Sequence, residues 1–385
     1  MATSGRSAII VGAGIGGLAT ALALQNTGWK VHIIERSGST AGPGTGLSLL
    51  PNGTAALERL GVLREFERVS VPVHGGTLDL DGRPIMAWDQ EEVSSRYGRP
   101  IRTVHRADLM SLLAGALAVN TVHRGLPVVR FEPGAPTSTV TLENGGQQSA
   151  ELVVGADGLH SVVRKGLIGG PAPRSSGITA FRAICPSPDQ GAGNLPWGET
   201  WGPGAVFGIT PLSGNRIYWY GTISNEEFRT SSLPTLKAMA LDRFGHWNQG
   251  IAQVIRQTPE EAVMAHELFD RKPEPVWSGR SATLVGDAAH PMLPFLGQGA
   301  CQALEDAVAL ADALAAHGSV REGLLAYDAE RVPRTSRIVN RSRTMGRLAQ
   351  LERPGLRKMR DTVLRLIPRQ LRLKQLDSVL GPSAS

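Results

Sequence analysis

The sequence predicts an α/β fold: a Rossmann-like dinucleotide-binding domain, an inserted, mainly antiparallel sheet forming an α+β substrate layer, and a C-terminal helical segment. Three observations predict it. A short apolar strand, Ser7–Val11, runs straight into Gly12-Ala-Gly14-Ile-Gly-Gly17 and then an alanine- and leucine-rich helix. Two later buried-strand patterns also meet glycine turns, at Gly155-Ala-Asp157-Gly158 and at Gly286-Asp287. Between these two turns lies a stretch of alternating, aromatic-rich segments, a pattern of half-buried antiparallel strands.

The first βαβ unit spans about 30 residues. It comprises the strand Ser7–Val11, a helix from Leu18 to about Thr27, and the strand Lys30–Glu35. Apolar residues at three- and four-residue spacing predict helices over Thr54–Arg68 and Arg106–Val119. From Gly177 to Asp270 the segments Ala205–Pro211 and Arg216–Thr222 read as strands of the second layer. Ala282–Val285 returns to the buried-strand pattern, and the helix Gln298–Ala316 follows it. From Leu324 onward the tail reads as helices, broken at Pro354 and Pro368. The dinucleotide-binding domain is therefore expected to be discontinuous, over 1–72, 98–176 and 271–345. The sheet domain takes 73–97 and 177–270, and the C-terminal helices take 346–385.

Composition narrows the class of function. With 385 residues, 41% hydrophobic and 19% charged, the chain has the make-up of an ordinary globular protein with a large core. No apolar run approaches the roughly 20 residues of a membrane-spanning helix, and the N-terminus lacks a secretory pattern. Cys185 and Cys301 are too few for a disulfide framework, so a reducing, cytoplasmic compartment is expected. The net charge of +6 comes mainly from Arg331 to Lys374. Without a nucleic-acid module it reads as a solvated helical surface, and no nucleic-acid partner is expected. The histidines show no metal-ligand spacing, so no metal is expected. Met359–Leu371 looks amphipathic. Its expected role is packing against the dinucleotide domain, with membrane contact not expected and a monomer or homodimer as the assembly.

Gly12 permits the tight turn, Gly14 lets the backbone approach a pyrophosphate, and Gly17 lets helix and strand pack closely. The pyrophosphate then rests on the helix N-terminus, whose free N–H groups and dipole favour negative charge. Glu35 ends the next strand 23 residues after Gly12, where its carboxylate suits ribose hydroxyls. Beside it, Arg36 is a further cofactor-binding candidate. The third motif is long: Gly286-Asp287-Ala-Ala-His290-Pro-Met-Leu-Pro294-Phe-Leu-Gly297-Gln-Gly299-Ala300. Its Asp287 stands at a strand end, Pro294, Gly297 and Gly299 let backbone lie along a flat ring system, and a helix begins at once. His290 is expected to be packed or bonded to backbone.

These three motifs, in this order, resemble the group A FAD-dependent monooxygenases, the para-hydroxybenzoate hydroxylase-like or aromatic-ring hydroxylase family. The likeness covers nearly the whole chain and includes Gly46–Gly53, the His105–Leu109 helix start and Tyr327–Arg331. It is nearest to the compact quinolone-, urate- and salicylate-hydroxylase-like members. The resemblance implies tightly bound FAD, with NADH or NADPH as a transient co-substrate, O2, and an aromatic small-molecule substrate. It implies that Glu35 binds the adenosine ribose, Arg106 the flavin phosphate or ribityl region, Asp287 the ribityl chain, and Gly299–Ala300 the isoalloxazine. Asp157 belongs to a fingerprint linked to both FAD and NAD(P)H, and Val129 sits where adenine meets backbone. Oxygen transfer from a flavin C(4a)-hydroperoxide to an electron-rich carbon is the implied chemistry. Epoxidation or oxidative rearrangement on the same scaffold is the alternative, and a non-catalytic flavin-holding binding protein is a second one.

The substrate side is expected on the inner face of the second-domain sheet, with Arg182, Trp201, Phe207, Tyr218, Tyr220 and Pro294 as pocket candidates. Tyr218 and Tyr220 share a face of their strand, with Trp219 opposite. Arg182 has two readings: an anchor for an acidic substrate group, or a structural ion pair at the domain edge. Where urate hydroxylases carry an arginine, this chain reads Gly204-Ala-Val206-Phe207. That departure implies a neutral, bicyclic or larger aromatic substrate.

Overall fold

The computed structural model describes residues 6–39, 44–73, 75–88, 90–188 and 195–381. A five-stranded sheet runs in the order Ala282–Leu284, Leu152–Gly155, Ser7–Val11, Lys30–Glu35 and Val122–Arg124. All four of its pairings are parallel. Ser7–Val11, Leu152–Gly155 and Ala282–Leu284 are covered on both faces and read as apolar runs, whereas Lys30–Glu35 exposes Lys30 and His32. Ile10, Val153, Val154 and Ile33 are all fully buried.

The register has a direct consequence for the site. Val11 pairs with both Ile34 and Gly155, and Gly155 pairs with Leu284. The glycine turn after Val11, the carboxylate of Glu35, and the turns at Asp157 and Gly286–Asp287 therefore lie side by side at one sheet edge. Segments separated by more than a hundred residues in sequence meet there because every strand points the same way.

The second sheet has seven strands, in the order Met264–Asp270, Arg174–Pro186, Arg216–Ser224, Ala205–Leu212, Gly198–Gly202, Gly75–Leu78 and Pro84–Trp88. It is antiparallel except where Gly198–Gly202 runs parallel to Gly75–Leu78. Its outer face buries Phe181, Phe207, Trp219 and Ile223 against Phe244, Ile251 and Ile255 of the helices behind it. The period-two alternation puts Arg182, Tyr218 and Tyr220 on the other, inner face.

Some element limits differ from the sequence expectation. Thr54–Arg68 is two helices, Pro51–Arg59 and Leu63–Val69, because Gly61 breaks the run with a positive φ of 80°. The helix begun at Arg106 stops at Gly115. The helix Val320–Ala349 crosses residue 345 without a break, so the expected boundary there falls inside an element. Pro354 and Pro368 stand at the starts of the two last helices, Pro354–Leu366 and Arg369–Leu380, as their fixed φ and missing N–H favour.

A buried polar network ties these layers together. Asp306, on the helix Gly299–Ala316, accepts from Arg331 Nε at 2.8 Å and from the Gly286 N–H at 2.9 Å, and its Oδ2 lies 2.6 Å from His290 Nε2. His290 is thus fixed by a side chain rather than by packing or backbone alone. Arg331 also donates to Glu305 Oε2 at 2.5 Å and to Gln302. Burial raises the Asp306 pKa, but His290 and Arg331 outweigh it and hold the carboxyl down at about 2.

Removing Asp306 leaves Arg331 buried with one of its two carboxylate partners gone, and strips the His290 ring and the Gly286 N–H of their acceptor. Asp306→Ala is expected to cost about 3–5 kcal/mol, read from urea unfolding. The folded pKa of about 2 lies below the ordinary 3.8, so this stabilisation is complete above the ordinary value and disappears as pH falls towards 2. Stability measured from pH 4 to pH 2 should therefore fall more steeply for the wild type than for Asp306→Ala, over the window in which this carboxylate takes up its proton.

Candidate active site

Gly12 takes a φ of 105°, and a Cβ there would lie 2.5 Å from the Ala156 carbonyl oxygen. A Cβ at Gly17 would lie 2.0 Å from the Gly12 oxygen. The turn is therefore closed tightly on its protein side, while a Cβ on Gly14 would meet nothing within 4 Å. The helix Ile15–Asn26 has neither a side-chain cap nor an acidic residue in its first turn. Its N–H groups keep their positive end for an incoming anion. Glu35 accepts from the Ala13 and Ser37 N–H groups, both at 2.7 Å, and so is held at the mouth of the same turn.

Asp157 caps the short helix Val162–Leu167 by accepting from the Val162 N–H at 2.7 Å. Its other oxygen is buried with no protein partner among the described residues. Burial raises the pKa of this carboxyl. Asp287 has an exposed surface, yet surrounding protein raises its pKa by desolvation, against the opposing influence of His290, Arg106 and Arg182. Surface exposure together with desolvation suits a side chain that lines a recess open to a ligand. Pro294 and Gly297 are exposed along the same loop, and the helix that follows at Gly299 is also uncapped.

These features fit a flavin dinucleotide. A glycine cradle and an uncapped helix suit its pyrophosphate, and Glu35 suits a ribose. Asp287 and Arg106 suit the ribityl-phosphate region, with the second uncapped helix, beginning at Gly299 and Ala300, for the ring. Arg36 and Arg106 are both exposed. Val129 is more loosely placed, exposed on the strand Val128–Glu132.

The inner sheet face carries the polar side chains. Tyr220 leans across Gly208, where a Cβ would come within 2.2 Å of its ring, and donates its hydroxyl to Glu199 Oε1 at 2.7 Å. Trp201 Nε1 donates to the other Glu199 oxygen at 2.8 Å. Burial raises the Glu199 pKa, only partly offset by these two donors. Tyr218 packs its ring 5.7 Å from that of Tyr220 and lies against Gly46, where a Cβ would come within 2.5 Å of it. Burial raises its pKa too, with Arg182 opposing. Arg182 makes no hydrogen bond or ion pair among the described residues, which removes the structural ion-pair reading.

Phe207 corrects an expectation. It stacks on Trp219 at 5.4 Å and packs against Phe244 on the outer face, so it belongs to the core behind the sheet and not to a pocket wall. Trp201 does face inward, but it is buried beneath Arg360, whose guanidinium carbon stands 4.8 Å from the ring centre. Sequence reasoning missed Glu199. Only the sheet register shows that it shares a face with Tyr220, because the two lie on strands separated by a third.

Comparison with known proteins agrees with this geometry. The FAD binding domain family matches residues 6–342. The chain is 34% identical to the aurachin C monooxygenase/isomerase of Stigmatella aurantiaca, over 94% of this chain and 95% of that one. It is 33% identical to the 3-amino-4-hydroxybenzoate 2-monooxygenase of Streptomyces cremeus, over 87% and 86%. The structure of HpxO from Klebsiella pneumoniae, complexed with FAD and uric acid, superposes with a TM-score of 0.88 at 25% identity, covering 98% of this chain and 97% of that one. The chain belongs to the FAD binding domain family and is an FAD-dependent monooxygenase.

Proposed function

We propose that this enzyme hydroxylates an aromatic or N-heteroaromatic small molecule, held between the flavin-binding loop and the inner face of the seven-stranded sheet, with NAD(P)H as reductant. The observation that carries the reading is Arg182. It is a cation with no acceptor among the described residues, set beside Tyr218 and Tyr220 and within electrostatic reach of Asp287. A substrate oxygen bearing negative charge or accepting hydrogen bonds, such as a phenolate, carboxylate or ring carbonyl, would satisfy it. This revises the expectation of a substrate without such a group.

Bound flavin supplies the oxygen chemistry; the chain supplies position and surroundings. Arg182 and Tyr218 orient the substrate oxygen, and the rings of Tyr218 and Tyr220 offer flat apolar surface to an aromatic ring. Phe295 and Met345 pack against the same apolar cluster as Tyr220 and help to keep water from that side. Asp287 and Arg106 hold the cofactor from the opposite wall.

A second reading, oxygen insertion followed by skeletal rearrangement, is favoured by the similarity to the aurachin C monooxygenase/isomerase of Stigmatella aurantiaca. The inner face described above serves either outcome. Identification of the product by mass and NMR separates them.

The test is substrate-stimulated NAD(P)H consumption across phenols, aromatic acids and hydroxylated N-heterocycles, with product gaining one oxygen atom. Stimulation restricted to compounds without an oxygen acceptor would sink the role given to Arg182. Arg182→Met is expected to raise KM roughly 10- to 100-fold, the worth of one charge-assisted hydrogen bond, with flavin content unchanged. Asp287→Ala should act on the other component, lowering the flavin content of purified protein, measured from its visible absorbance. Unaltered flavin retention in that variant would remove Asp287 from the cofactor wall.

A further inference from the structure

The helix Pro354–Leu366 is built inside out. Its Arg360 is buried, donating to the Leu348 and Ala349 carbonyls and lying over Trp201. On the same helix Leu356, Met359, Val363 and Leu366 face solvent, and Leu371 continues the row on the next helix; all five are between 40% and 73% exposed. Spaced three and four residues apart, the first four form one stripe along the helix. Half of the large apolar side chains exposed among the described residues fall in these 16 positions, so the row is a patch rather than scatter. The sequence predicts packing against the dinucleotide domain; Arg360 and Leu364 instead pack on the end of the long helix and on Ile85, Trp201 and Val206 of the seven-stranded sheet, and this stripe stays uncovered.

We propose that this stripe docks the enzyme reversibly on an anionic lipid surface. Besides the buried Arg360, residues 352–374 hold seven Lys and Arg against two acids, Glu352 and Asp361. An apolar row with a basic surround is the pattern of a helix lying in the plane of a membrane interface, its apolar side chains in the acyl boundary and its cations at the headgroups. A second copy of the chain is the poorer partner, because pairing two such segments would bring two clusters of like charge together. No helix among the described residues is long and apolar enough to cross a membrane, so the contact is peripheral. The helix also packs against the strand Pro84–Trp88, at the edge of the sheet whose inner face carries the proposed substrate site. Docking would place that sheet edge at the lipid surface.

Co-sedimentation of the FAD-loaded enzyme with phosphatidylcholine vesicles, with and without phosphatidylglycerol, tests the proposal. Binding is expected only with phosphatidylglycerol and should weaken with salt. Met359→Ser/Leu366→Ser keeps the net charge and changes two exposed positions. It should lower partitioning at least about tenfold with flavin content intact. Three results would overturn the proposal: no binding to the mixed vesicles, binding indifferent to phosphatidylglycerol, or undiminished binding of the double variant, which would assign it to charge alone. A dimer on size-exclusion chromatography that the double variant dissociates would assign the stripe to a second copy instead.

Discussion

The carboxylate of Asp306 gathers three donors from two other parts of the chain: Arg331 on the long helix, and the Gly286 amide and His290 ring of one loop. Burying a carboxylate and a guanidinium together is costly unless nearly every lone pair and proton finds a partner. Here Glu305 and Gln302 take the remaining Arg331 donors, and Asn52 and Arg334 bond Glu305 in turn. The loop from Gly286 to Gly299 is held from behind by this network. Its front can therefore present Asp287, Pro294 and Gly297 to the cleft without being fixed by the ligand it receives.

The two faces of the seven-stranded sheet divide the labour. The outer face is an aromatic core, where Phe207, Trp219 and Phe244 anchor the sheet to its helices. The inner face is left with groups that a core would exclude: an arginine without an acceptor among the described residues, two tyrosines and a buried carboxyl. Gly208 makes this arrangement fit, since any side chain there would displace the Tyr220 ring from its path to Glu199. Gly46 does the same for Tyr218, and so brings a strand of the first domain against the proposed substrate wall.

The C-terminal helices connect to the same wall. Arg360 satisfies the carbonyls that end the long helix and stacks on Trp201, whose indole N–H is bonded to Glu199. Turning an arginine inward for these contacts leaves the helix's apolar residues outward. The exposed stripe is thus a consequence of how the segment is fastened.

Much of the cofactor side was legible in the sequence, because its signals are local. A glycine needed for a tight turn, a carboxylate at a strand end and a buried parallel strand each mark themselves within a few residues. The period-two alternation likewise separated Tyr218 and Tyr220 from Trp219. Tertiary structure alone decided what depends on neighbouring strands and helices. Strand order determined that Glu199 meets Tyr220, that Phe207 points to the core, and that Arg182 stands beside Tyr218 and Tyr220. An amphipathic pattern said that Pro354–Leu366 has an apolar face. Which way that face turns was settled by the competing demand of Arg360, since hydrophobic periodicity specifies a face and not the direction in which the fold will aim it.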